Sequence, residues 1–183
     1  MTENRHVRPA LSKVPEVTLL FWVLKIAATT LGEIGGDAVS MSMNLGYLIA
    51  TAIFAGAFLA AVGAQIKFKH FHPFLYWATI ISTTTVGTTL ADFADRSLGI
   101  GYAGGSAILL TCVIASLMIW RWSTGRISVE TVNTPKVEIF YWVTIMFSQT
   151  LGTALGDWVA DTNSTGYLGA AAVFGGLLLV TAL

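Results

Sequence analysis

The chain has 183 residues, of which 55% are hydrophobic and only 11% are charged, and its formal net charge is zero. A soluble domain usually carries about 25% charged residues, so this composition indicates an integral membrane protein whose main partner is the lipid bilayer. The charge balance gives no indication of a nucleic-acid partner, and the single cysteine excludes an internal disulfide.

Six hydrophobic segments follow one another along the chain. Each has about the 20 residues that a helix needs to cross a hydrocarbon core of about 30 Å. The sequence therefore predicts an all-α, polytopic membrane helical bundle, with a cytoplasmic tail over residues 1–13 and a single transmembrane domain over residues 14–183. The predicted spans cover residues 17–36, 46–66, 73–92, 99–120, 138–157 and 166–183.

Lysine and arginine are distributed unevenly around these spans. Eight of them precede span one or lie in the loops after spans two and four, which all fall on one side of the membrane, whereas the other side carries only Arg96. Because cytoplasmic loops are enriched in Lys and Arg, the sequence predicts a multi-pass membrane protein with a cytoplasmic N-terminus. The eight residues are Arg5, Arg8, Lys13, Lys67, Lys69, Arg121, Arg126 and Lys136.

One motif occurs three times along the chain. It reads Trp, seven residues, Thr, one residue, Gly, four residues, Asp, eight residues, Gly-Tyr, and its copies begin at Trp22, Trp77 and Trp142. Such self-similarity predicts three tandem two-helix units, over about residues 14–68, 69–133 and 134–183. Each unit enters from the same side, so we expect a pseudo-rotation axis along the membrane normal. The three Trp side chains are expected in the cytoplasmic aromatic belt.

The repeated Asp is the main functional question. In the first copy, Thr30, Glu33 and Asp37 are spaced three and four residues apart, so they share one helix face. The other copies repeat this stripe, and charge at membrane depth is costly and by default marks a site or a pathway. The candidate cation-binding or relay residues are Glu33, Asp37, Asp92, Asp157, Asp95 and Asp161, with Thr30, Thr85, Thr150 and Lys25 as auxiliary groups.

Carboxylates and hydroxyls suit hard cations such as Ca²⁺, Mg²⁺ or Mn²⁺, or protons, and the residues do not decide among them. An alternative interpretation is that the Asp residues only cap turns between helices. Lys25 lies about two helical turns from Glu33, and we expect it either to point inward toward a carboxylate or to snorkel to the cytoplasmic interface.

Small residues four apart occupy the same helices, at Gly32 and Gly36, Gly87 and Ala91, and Gly152 and Gly156. In lipid such pairs let helix backbones approach closely. They leave open a second function, that of a membrane scaffold or assembly protein without transport.

The leading hypothesis is a small-cation transporter or exporter, for a divalent metal or coupled to protons. No motif for an enzyme or a bound cofactor is present, and the oligomeric state is open.

Two segments, residues 29–37 (TTLGEIGGD) and 87–96 (GTTLADFADR), resemble an uncharacterised bacterial family of membrane-anchored proteins built from two-span repeats with a characteristic Trp. The resemblance covers roughly residues 13–183 and implies a membrane helical bundle of the bacterial inner (plasma) membrane without a known activity. Proteins of this family normally have four repeats. The chain stops at Leu183 within an apolar run, so we expect a fourth hairpin in the complete protein.

Overall fold

A computed structural model describes residues 12–162 and 166–182, and these residues form six α-helices. Each predicted span corresponds to one helix, so the all-α prediction is confirmed. Arg5, Arg8 and Leu183, which entered the predictions above, lie outside the described residues. The helices are α1 Leu19–Asp37, α2 Tyr47–Lys67, α3 Pro73–Asp92, α4 Gly101–Thr124, α5 Pro135–Thr162 and α6 Gly166–Ala182.

The helix ends follow local sequence signals. Thr18 caps α1 by accepting a hydrogen bond from the Phe21 N–H, and the exposed His72 caps α3 in the same way, directly before the proline that begins the helix. The repeated Asp ends both α1 and α3, and each helix then continues into a single π-helical turn, Ala38–Ser42 or Phe93–Ser97. The third copy differs, because α5 runs on as a regular helix to Thr162.

Three segments of the described chain are both long and apolar enough to cross a membrane, namely Leu19–Ser42, Tyr47–Lys67 and Gly101–Thr124, and the apolar part of α6 is shorter. The central helices α3 and α5 are more polar. The threonines of α3 are buried, and most of them donate their hydroxyl to a carbonyl one turn earlier, which satisfies the hydroxyl without water. Polar residues are therefore tolerated in this helix because its neighbours cover it.

The packing centres on α3 and α5. Helix α3 contacts α1, α2 and α5, while α5 contacts α3, α4 and α6. Each of α2 and α4 packs mainly on the odd-numbered helix that follows it, and much less on the one that precedes it in its own repeat. Consecutive spans predict two-helix hairpins, and as a description of the contacts this expectation is wrong for α1 with α2 and for α3 with α4, whereas α5 and α6 do pack on each other. The small-residue face of α1 is occupied by α3, and α2 makes its main contacts with α3 and few with α1.

Two close approaches explain the repeated glycines. A Cβ on Gly32 would lie 2.7 Å from the Thr84 Cβ, and one on Gly87 would lie 3.0 Å from the Thr150 backbone N. The prediction of close helix packing is thus confirmed in the first two repeats. In the third repeat a Cβ on Gly152 or on Gly156 would meet no described neighbour within 4 Å. The series of glycine contacts therefore stops at α5.

We expect Gly32→Ala to lower the free energy of unfolding by about 1–3 kcal/mol, because the added methyl group must displace α3 at a packed contact. The matched control is Gly152→Ala, which adds the same methyl group to an open position. It is expected to be neutral or to stabilise its helix by up to about 1 kcal/mol. Thermal unfolding in detergent measures both effects. Equal behaviour of the two variants would contradict the assigned contact.

The repeated Trp residues do not form one interfacial belt. Trp22 is 37% exposed, but Trp142 is only 2% exposed and packs against Tyr76 and Tyr141, with its ring centroid 5.5 Å from that of Tyr76. The expectation of an aromatic belt is wrong for Trp142. Because α5 lies at the centre of the bundle, Trp142 is buried against neighbouring helices, whereas the equivalent Trp22 of α1 is exposed at the surface of the bundle.

The N-terminal segment is docked at the opposite end of the bundle from the repeated Asp residues. The Lys13 ammonium lies 2.7 Å from Glu138 Oε1 and donates to the Gln65 carbonyl at 2.9 Å, and the Lys13 N–H donates to the Val132 carbonyl. Lys13 and Glu138 are 5% and 1% exposed. The distribution of basic residues predicts only a topological role for Lys13, whereas the structure shows it as one half of a buried ion pair.

Candidate functional site

Four acidic residues of the three repeats meet at one cavity, which we call the outer cavity. It has a volume of about 410 Å³ and lies among α1, α3, α5 and α6, near the ends of α1 and α3 that carry the repeated Asp. The polar side chains that line it are Glu33, Asp37, Thr88, Asp92, Arg96, Thr153, Asp157 and Tyr167. The stripe predicted from helical periodicity thus comes together from three separate helices.

Arg96 is the basic residue of the outer cavity. Its Nε lies 2.8 Å from Asp92 Oδ1, and its guanidinium is 3.8 Å from Asp157 Oδ2, so it bridges equivalent Asp residues of two repeats. Asp92 is buried, whereas the Arg96 side chain is 42% exposed. Four carboxylates and one guanidinium therefore line the cavity, the guanidinium contacts two of the four, and the cavity favours additional positive charge.

Polar contacts continue inward from the cavity along the interface of α3 and α5. Each contact joins residues that are 65 positions apart, which is the offset between the second and third repeats, so equivalent columns face each other. This pairing is what a rotation axis between the two units would produce. The hydrogen-bonded pairs are Thr88 and Thr153 at 3.5 Å, Gln149 and Thr84 at 2.7 Å, and Tyr76 and Tyr141 at 2.7 Å.

One apolar layer interrupts this series. Between the tyrosine pair and the Thr84–Gln149 pair, the equivalent positions of α3 and α5 are Ile80 and Ile145, and the first of these is fully buried. Lys25 occupies the same column in α1, where it is partly buried. The ion pairs of the described residues do not include one between Lys25 and Glu33.

Two of the predicted acids do not line the outer cavity. Asp95 lies against Gly105 at the start of α4 and borders a different cavity. Asp161 is exposed and accepts a hydrogen bond from the Tyr102 hydroxyl. The π-helical turn after Asp92 explains the first case, since its wider winding rotates Asp95 away from the face that an α-helix would give it.

The predicted auxiliary threonines are also placed elsewhere. Thr85 and Thr150 are buried, and their hydroxyls donate to the carbonyls of Ile81 and Met146, while Thr30 is exposed. The threonines of the outer cavity are instead Thr88 and Thr153. A sequence signal for them exists, since each precedes its Asp by four residues, as Glu33 precedes Asp37.

The acids surround the cavity without forming a chelating cluster. Within the part of the chain that the structure describes, no group of three or more His, Cys, Asp or Glu side chains is arranged to hold a metal ion. Carboxylates spread around a space of this size suit a cation that keeps part of its hydration shell, as Mg²⁺ commonly does.

Comparison with known proteins identifies the repeats. Residues 20–71, 75–126 and 140–183 each match the family model described as Repeat of Unknown Function (DUF347). Each of these segments contains one copy of the recurring motif, and together they cover most of the chain. No curated protein and no solved structure matches the chain.

Proposed function

Because the chain belongs to the DUF347 repeat family, whose function is unknown, we propose from its geometry that it is a membrane transporter or exporter of small cations. The observation that carries this proposal is the outer cavity, which is lined by four carboxylates from three repeats and by one arginine. Charged groups at membrane depth are costly, so their convergence on an accessible space favours a site for a positively charged substrate.

The polar interface of α3 and α5 supports movement through the protein. To pass a hydrated ion, its paired hydroxyl, amide and phenol groups would exchange their mutual hydrogen bonds for bonds to the ion's water molecules at several depths. The layer of Ile80 and Ile145 would close this path when nothing moves through it, in the manner of a hydrophobic constriction. A divalent cation that exchanges for protons fits both features.

The proposal includes six membrane crossings. Three helices qualify by length and apolarity alone, and α3 and α5 have 20 and 28 residues, with polar groups largely covered by neighbouring helices. The uneven distribution of lysine and arginine favours the outer cavity opening away from the cytoplasm.

Thiol reagents applied outside intact cells should then label a cysteine placed at Ser97 and miss one placed at Lys69. The reverse labelling pattern would show that the protein has the opposite orientation.

We expect purified protein in liposomes to carry Mn²⁺ or Ca²⁺ across the membrane, read with a trapped indicator dye. The double variant Asp92→Asn and Asp157→Asn should reduce this flux at least about tenfold, because asparagine keeps the side-chain size but lacks the charge that holds the ion. Asp161→Asn is the matched control, since Asp161 lies outside the outer cavity. Flux that the double variant leaves unchanged would overturn the proposed path.

A scaffold function is the second candidate, and one observation favours it. Gly32 and Gly87 are each covered by the next odd-numbered helix, whereas Gly152 and Gly156 are uncovered and line the outer cavity. A helix from another polypeptide could dock there and fill the space. In a Cys112→Ser background, Gly152→Cys should form intermolecular disulfides if this face is a docking surface. If the cavity is a water-filled ion site, this cysteine should instead react readily with water-soluble thiol reagents.

A further inference from the structure

The face of α5 that borders the proposed ion path has a carboxylate near each end. Asp157 lines the outer cavity, and Glu138 lies in the first turn of the helix. The two are about 28 Å apart along the helix axis, close to the thickness of a hydrocarbon core of about 30 Å. The path residues between them recur every three or four positions, which places Glu138 on the same helix face. These residues are Tyr141, Ile145, Gln149 and Thr153.

The N-terminal segment covers the inner end of this face, which is the end opposite the outer cavity. Lys13 Nζ lies 2.7 Å from Glu138 Oε1 and donates to the Gln65 carbonyl at 2.9 Å. The Ser12 hydroxyl donates to the Val129 carbonyl in the segment before α5. The chain that leads into α1 therefore crosses the inner end of the bundle and bridges the end of α2 and the start of α5.

The Lys13 ammonium occupies the position that a passing cation would need at this end of the path. It neutralises Glu138, and the carboxylate is only 1% exposed, so other cations are kept from it by charge and by burial. Glu138 follows directly after the innermost hydrogen-bonded pair of the path, since Tyr141 lies about one turn further along α5. In this state the path is open to the outer cavity and closed at its inner end.

The docked segment is held in a way that allows it to leave. Glu138 Oε2 and Gln65 Nε2 are buried and have no hydrogen-bond partner among the described residues, which is costly, and water would satisfy both atoms once the segment moved away. Glu16 and Val17 connect the segment to α1 and are exposed, so packing does not fix this connection. Docking is therefore expected to be reversible.

We propose that residues 12–14 form a latch over the inner end of the ion path, with Lys13 as a tethered cation at Glu138, so that ions pass only while the latch is lifted. Val14 adds an apolar contact with the buried core cluster. This inference rests on the proposed function, because the latch closes a path only if ions move along the interface of α3 and α5. An ion pair with a purely structural role would stabilise the fold without controlling flux.

Lys13→Glu should lift the latch, because it places a second carboxylate against Glu138. The reporter is Gln65→Cys in a Cys112→Ser background, since the Gln65 side chain is 1% exposed beside the docked segment. We expect a water-soluble maleimide to label this cysteine at least about tenfold faster when Lys13→Glu is added, because the lifted state then predominates. Lys69→Met is the charge control and should not alter the rate. An unchanged rate in Lys13→Glu would overturn the latch.

Flux of Mn²⁺ into liposomes measures the consequence for transport. Lys13→Glu should raise this flux about fivefold or more, in proportion to the larger lifted population. The added flux should disappear when Asp92→Asn and Asp157→Asn are combined with Lys13→Glu. Flux that persists in this triple variant would come from a leak through a disrupted bundle, and it would overturn the latch.

A covalent lock tests the same proposal without changing Lys13 or Glu138. Ser12→Cys and Val129→Cys are joined by a reducible bis-methanethiosulfonate reagent in the Cys112→Ser background, and each single-cysteine variant treated in the same way is the control. We expect joining to abolish Mn²⁺ flux and reduction to restore it. Equal flux in the joined and reduced protein would overturn the latch alone and leave transport intact. If neither the reduced protein nor any other variant carries ions, the proposed function is wrong and the latch fails with it.

Discussion

Lys13→Met is expected to lower the free energy of unfolding by about 3–5 kcal/mol, because it leaves the carboxylate of Glu138 buried without its partner. At about 2–4 °C per kcal/mol for a chain of this size, the unfolding temperature in detergent should fall by roughly 6–20 °C. Loss of the Lys13 ammonium also removes the hydrogen bond to the Gln65 carbonyl, which detaches the N-terminal segment from the end of α2.

Two further variants separate the ion pair from other effects. Adding Glu138→Gln to Lys13→Met removes the unpaired charge and should restore most of the lost stability. Lys69→Met removes a lysine from an exposed loop position and should leave the unfolding temperature nearly unchanged. An unfolding temperature that Lys13→Met does not alter would show that the N-terminal segment is not docked through this pair.

Arg96→Gln is expected to tighten divalent cation binding at least about tenfold, which corresponds to about 1.4 kcal/mol. In the wild type a bound cation must compete with the guanidinium for Asp92, 2.8 Å away, and for Asp157. Without cation, the same variant should be less stable at neutral pH, since the four carboxylates then repel one another. Added Mn²⁺ should restore that stability.

The control for this prediction is Arg126→Gln, which removes an equal charge from an exposed loop at the other end of α4. It should change neither cation affinity nor stability. If Arg96→Gln weakens cation binding, the guanidinium is a structural element of the site and not a competitor. Comparison at low and high ionic strength would separate local competition from a general effect of net charge, because salt screens the latter.

Periodicity in the sequence was sufficient to place the six helices and the convergence of Glu33, Asp37, Asp92 and Asp157. Equivalent residues of a tandem repeat occupy equivalent sites, and a spacing of four residues defines a helix face. Both the spacing along one helix and the recurrence of the motif are visible in the sequence itself, so they predict these features without knowledge of how the helices pack.

Other parts of the arrangement depend on tertiary contacts that no local pattern encodes. Lys13 and Glu138 are 125 positions apart in the sequence, and no local sequence pattern around either residue predicts that they form a pair. An α-helical phase would place Asp95 on the acidic stripe, and the π-helical turn changes that phase. The burial of Trp142 follows from the central position of α5. Its position in the repeat, equivalent to Trp22 and Trp77, predicts an interfacial residue instead.

The most direct test of the central claim is calorimetric titration of the purified protein with Mn²⁺ and Ca²⁺. The outer cavity predicts saturable binding of about one ion per chain, strongly weakened when Asp92 and Asp157 are both replaced by asparagine and unchanged in Asp161→Asn. Indistinguishable titrations of the wild type and the double variant would contradict the account, because cations would then bind elsewhere or not at all, and the repeated Asp residues would serve only the fold.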